Sequence, residues 1–74
     1  MYYDVVVRRK KGMEKFRFTS EEEAIDNLFS IMEKESNSTK VSLETKDKII
    51  MEYNVGRFKK LSDERKIKIA NGVY

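Results

Sequence analysis

Hydrophobic and polar positions alternate in four short runs along this chain and follow a helical period in one longer run. Tyr2, Tyr3, Val5, Val6 and Val7 load the first run, which continues to Arg9, with β-forming side chains. From Glu14 to Thr19 the alternation is strict. It sets Phe16 and Phe18 on one side and Lys15 and Arg17 on the other. Lys10-Lys11-Gly12 separates the two runs. A short glycine-containing link between alternating runs predicts an antiparallel hairpin over residues 1–19, with its tip near Lys11 and Gly12.

The longer run begins at Ser20, which with Glu23 fits a capping box. Glu21, Glu22 and Glu23 fall in the first turn, where the positive end of the helix dipole favours acids. Ile25, Leu28, Phe29 and Met32 follow at i, i+3, i+4 and i+7, and Ala24 and Ile31 widen that stripe. The spacing predicts an amphipathic helix over residues 20–36, stopped by the turn formers Ser36-Asn37-Ser38-Thr39.

Val41, Leu43 and Thr45, then Ile49, Met51 and Tyr53, alternate with polar or outward positions. Lys46-Asp47-Lys48 between them predicts a second hairpin over residues 40–55. The tail, residues 56–74, admits two readings. Gly56 to Leu61 extends the fourth strand past a bend, and Ser62-Asp63-Glu64 starts a short helix that Asn71-Gly72 ends. Ile67-Lys68-Ile69 alternates and offers a strand as the second reading, with the short helix preferred. The expected fold is a single small α+β domain in the order β-β-α-β-β, with one helix on one face of an antiparallel sheet and a short C-terminal helix.

Composition enters mainly by exclusion. The 74 residues include no Cys, His, Pro or Trp. That removes disulfides, thiolate nucleophiles, iron–sulfur clusters and Cys-based zinc sites. It also removes Ser-His and Cys-His catalysis and imidazole metal ligands. Gly occurs only at 12, 56 and 72, so there is no glycine-rich phosphate loop. Capping and dipole effects account for the acids Glu21, Glu22, Glu23 and Asp26, which lack calcium-loop spacing. The reading is therefore non-enzymatic, with no metal and no cofactor. No apolar run nears the ~20 residues that span a bilayer, and no secretory leader pattern opens the chain. A cytoplasmic location without membrane contact is expected.

Charge changes the picture more than its total does. Sixteen Lys and Arg against thirteen Asp and Glu give +3. Residues 1–18 hold six bases against two acids, residues 19–39 one base against six acids, and residues 40–74 nine bases against five acids. An acidic helix therefore sits between two basic segments. Arg8, Arg9, Lys10 and Lys11, with Lys15 and Arg17 on the returning strand and Tyr2 nearby, form the candidate site for a protein partner or nucleic acid. Basic side chains on a two-stranded ribbon contact phosphates, and an adjacent Tyr stacks on unpaired bases. A solvated hairpin tip, with edge lysines that discourage aggregation, has the same appearance.

The sheet also has a second face. With Val5, Val7, Phe16, Phe18, Val41, Leu43, Ile49 and Met51 on the helix, alternation sends Tyr2, Val6, Arg8, Arg17 and Ile50 the other way. Either the tail folds back to cover Val6 and Ile50 through Phe58, Leu61, Ile67 and Ile69, or the face is an interface. That interface is homodimeric or belongs to a target, and Tyr and Arg are enriched at binding hot spots.

Lys15-Phe16-Arg17-Phe18-Thr19-Ser20-Glu21-Glu22-Glu23-Ala24-Ile25 is a strand running into a Ser-capped acidic helix. In that style, and in element order over residues 1–54, the chain resembles small accessory proteins of phages and mobile elements, a group that includes anti-CRISPR inhibitors. The resemblance implies stoichiometric binding to a host macromolecule and transfers no functional residue. Its basic balance departs from the strongly acidic inhibitors that mimic DNA. The expected function is a binding protein that modulates or inhibits a host protein or ribonucleoprotein. The alternative is a small nucleic-acid-binding regulator that uses the N-terminal hairpin, and a homodimer is a further possibility.

Overall fold

Seven elements form over residues 1–73, the part of the chain that the computed structural model describes. They are β1 (Tyr3–Arg9), β2 (Gly12–Phe18), α1 (Glu21–Lys34), β3 (Lys40–Glu44), β4 (Ile49–Asn54), α2 (Val55–Lys59) and α3 (Asp63–Ala70). Tyr74, at the end of the predicted tail, lies outside the described residues. The strands make one antiparallel sheet in the order β2-β1-β3-β4, so the expected α+β class holds.

The first hairpin is tighter than its glycine implied. Arg9 pairs with Gly12, so the tip is the two-residue turn of Lys10 and Lys11. Both lysines keep negative φ, and Gly12 opens β2 at φ 158°, near the extended region. Helix α1 begins where Ser20 Oγ accepts the Glu23 N–H at 3.4 Å. Its stripe Ala24, Ile25, Leu28 and Met32 is buried. That stripe meets Val5, Val7, Val41, Leu43 and Met51 of the sheet in one cluster.

Two expectations about the second half of the chain are corrected. Residues 56–61 do not extend the fourth strand. Asn54 Oδ1 accepts the Gly56 N–H at 3.0 Å and caps α2. Thr39 and Asn37 carbonyls take the N–H groups of Val55 (2.8 Å) and Gly56 (3.2 Å). The approach is close, since a Cβ on Gly56 would lie 3.2 Å from Asn37 Cβ. The predicted C-terminal helix does form. Ser62 caps it, and a Schellman closure ends it, with Gly72 N–H on Ile69 and Val73 N–H on Lys68. Gly72 supplies the left-handed φ of 81° that this closure needs.

The second correction concerns register. Leu43 pairs with Met51 but Glu44 with Ile49, because a bulge inserts Ile50. Ile49 therefore joins Glu44 on the far face, 54 % exposed, while Ile50 packs on the core side. Strict alternation had placed the two isoleucines the other way round.

Val55, Phe58 and Ile69 of the tail join the same cluster as α1. The Phe58 ring stands edge-to-face with Phe29 (5.1 Å between centroids) and Tyr53 (5.5 Å). The tail thus widens the helical layer and does not wrap the far side of the sheet. The molecule measures 32 × 31 × 18 Å, and its thinnest dimension suits one sheet under one layer of helices.

Candidate functional site

Among the described residues no helix covers the far face of the sheet, and its side chains follow from strand parity. Asp4, Val6 and Arg8 of β1 stand between Arg17, Lys15 and Met13 of β2 and Glu44, Ser42 and Lys40 of β3. Glu52 lies opposite Ser42 on β4. Val6 is only 1 % exposed yet sits outside the main core. Its cross-strand neighbours are Lys15 and Ser42, so side-chain stems and polar groups cover it.

A polar network lies over this layer. Arg8 donates to Ser42 Oγ (2.9 Å) and to Glu44 Oε2 (3.1 Å), and Ser42 donates to the same Glu44 oxygen. Glu52 lies 3.9 Å from the Arg8 guanidinium. Beside it, Arg17 forks onto both oxygens of Asp4, at 2.9 and 3.2 Å. These Arg17 hydrogen bonds hold the Asp4 carboxyl below the usual carboxylate range, with Lys15 adding to the effect. The Arg17 guanidinium also lies over the Tyr2 ring, 4.8 Å from its centroid. Tyr2 is 55 % exposed, so its outer side remains open. A shallow cleft runs between Tyr2, Lys15, Arg17 and residues 45–47 of the second hairpin turn.

The predicted candidates therefore divide three ways. Tyr2, Arg8, Lys15 and Arg17 come together on the open face. Lys10 and Lys11 stand exposed at the hairpin tip. Arg9 faces the opposite side and is bound within the fold. Its Nε and Nη2 fork onto Glu35 at 2.8 and 2.9 Å, and Nη1 reaches Glu14 at 2.6 Å. These bonds raise the Arg9 pKa above its usual range and lower that of Glu35.

Pairing changes the electrostatic character of the site. Arg8 and Arg17 are neutralised by Glu44, Glu52 and Asp4. Among the described residues no ion pair involves Lys10, Lys11, Lys15 or Lys40. The face is thus a mixed-charge surface with a few unpaired lysines rather than a continuous cationic patch. Sequence reasoning missed Met13 and Ile49, 61 % and 54 % exposed on this face. It also missed the acids Asp4, Glu44 and Glu52. Parity within each strand carried the signal for all of these except Ile49, which the bulge displaced.

Among the described residues no group of three or more acidic side chains is placed to hold a metal ion. Among the same residues no helix is long and apolar enough to cross a membrane. Comparison with protein-family models, curated proteins and solved structures finds no match.

Proposed function

We propose that this chain is a non-enzymatic binding protein of the phage or mobile-element accessory kind, which engages a host protein or ribonucleoprotein through the open sheet face. One observation carries the reading: the tail that was available to cover this face packs beside α1 instead. The sheet is left with Tyr2, Met13 and Ile49 exposed around a paired polar centre. Exposed apolar and aromatic groups among hydrogen-bonded charges have the make-up of a recognition surface. Neutralised Arg8 and Arg17 favour a protein partner over a phosphate backbone, which rewards unpaired cations.

Affinity capture from lysate of the producing host tests this, with nuclease-treated and untreated samples compared. The expected result is a protein partner retained after nuclease treatment and lost in the double variant Tyr2→Ala, Arg17→Ala. Unaltered recovery in that variant removes the open face from consideration. Salt-sensitive binding of a duplex or single-stranded probe at ~50 mM salt, abolished by Lys10→Ala, Lys11→Ala, would favour the nucleic-acid reading instead.

A further inference from the structure

The open face ends at a sheet edge, and that edge is unusually complete. Strand β2 is an outer strand of seven residues in unbroken register with β1 from Gly12 to Phe18. The other outer strand, β4, is shorter, sits beside a bulge and leads directly into α2. Half of the backbone N–H and C=O groups of β2 point away from β1. Among the described residues nothing outside the ladder hydrogen-bonds to the backbone of residues 12–18. The edge has neither a bulge nor a proline to block another strand.

Charge decides what can add there. Met13, Lys15 and Arg17 line the open-face side of the edge, and Glu14, Phe16 and Phe18 line the helix side. A second copy would pair antiparallel about a two-fold axis with faces preserved. The four central registers place Lys15 opposite Lys15, Lys15 opposite Arg17, Arg17 opposite Arg17 or Glu14 opposite Glu14. Like charges directly opposite are destabilising, so the fully paired register, which sets Lys15 opposite Lys15, is disfavoured for a second copy. Glu14 is already occupied by Arg9 and Arg17 by Asp4, whereas Lys15 has no ion-pair partner. The unmet demand of the edge is negative charge opposite Lys15. The half-buried Phe16 and Phe18 offer apolar contact on the other side.

We propose that β2 accepts an extended segment of the partner protein as a fifth strand, with acidic residues on the open face and apolar residues toward Phe16 and Phe18. This rests on the protein-binding reading above and names the form of the partner. Main-chain hydrogen bonds supply affinity, and alternate side chains supply selection. The lysine that guards the edge against self-association is the residue that recognises the acidic strand.

Fluorescence anisotropy with three labelled nine-residue peptides tests it: alternating Glu and Val, alternating Lys and Val, and the Glu/Val peptide N-methylated at every second residue. The Glu/Val peptide is expected to bind, and the other two at least about tenfold more weakly, a difference of ~1.4 kcal/mol. Lys15→Glu should reverse the preference between the first two peptides. Lys15→Gln should abolish it without altering the fold. Amide NMR shifts should concentrate on residues 12–18, and sedimentation should show a monomer. Equal binding of all three peptides, binding of none, shifts elsewhere or a β2-mediated dimer would overturn the proposal. Should the peptides fail while Tyr2→Ala, Arg17→Ala still loses the captured protein, the edge is wrong and the open face stands.

Discussion

Arg9 closes the first hairpin onto the end of α1 by gripping both carboxylate oxygens of Glu35, while its remaining terminal nitrogen holds Glu14. One guanidinium thus joins two strands and a helix terminus. Arg9→Ala is expected to lower the melting temperature, and Arg9→Lys to recover little, since an ammonium cannot reproduce the fork. Lys10→Ala and Lys11→Ala, at the tip, should leave it unchanged. Thermal melts followed by circular dichroism separate these outcomes.

Acid should weaken the fold through two carboxylates. Asp4 and Glu35 both titrate below their ordinary values, mainly because Arg17 and Arg9 hydrogen-bond their charged forms. Such groups stabilise the fold fully above their unfolded pKa values, and that contribution is lost as pH falls through the lower folded values. Stability should therefore decline from about pH 4 downward. In Asp4→Asn, Glu35→Gln the dependence should flatten over that range. Urea titrations at several pH values measure it, and an unchanged slope would contradict the assignment.

The bulge makes a register prediction. Ile49→Lys should alter stability by less than about 0.5 kcal/mol, because Ile49 projects into solvent from the open face. Met51→Lys places a charge in the core and should cost more than about 4 kcal/mol. Equal effects on denaturant midpoints would mean that the two strands pair without the bulge.

Phe58 tests whether the tail belongs to the core. It is 4 % exposed and contacts two aromatic rings. Phe58→Ala should cost about 3–5 kcal/mol, enough to unfold much of a domain this small at room temperature. Phe58→Leu, which keeps most of the volume, should remain folded and measurable. A native-like midpoint in Phe58→Ala would detach the tail from the core.

Gly72 holds a left-handed backbone. With φ at 81°, Gly72→Ala should cost about 1 kcal/mol through strain in the α3 closure. Gly12→Ala, at φ 158° with open space around its Cβ position, meets no atom and should cost only the backbone strain of that positive φ. Denaturant midpoints of the two variants provide the comparison.

Much of this architecture was legible because local signals agreed. Ser20, the three glutamates and the Ile25, Leu28, Met32 spacing each point to the same helix. The runs around Val5 and Phe16 point likewise to the same hairpin. Helix α2 was hidden because it depends on Asn54 and on carbonyls of residues 37 and 39, which only the fold brings near. The bulge was hidden because Ile49 and Ile50 are chemically alike, so no pattern says which faces inward. At the site, four consecutive bases resembled one patch. Strand parity already separated Arg8 from Arg9, and the acids that neutralise them were legible on the same faces. Which lysine stays unpaired required the register of all four strands.

The central position of β1 has a kinetic consequence. Val5 meets Phe16, eleven positions away, and Leu43, thirty-eight positions away, with α1 inside the longer separation. The hairpin contacts form locally and fast, whereas joining β3 to β1 must close a long segment before that contact is rewarded. Turning residues 21–34 into a rod of roughly 21 Å, at about 1.5 Å rise per residue, shortens the search by ordering the chain that must be closed. Refolding should therefore speed up with substitutions that strengthen α1. Changes on β2, whose pairing with β1 precedes that closure, should likewise register mainly in the refolding rate and little in how quickly the molecule comes apart.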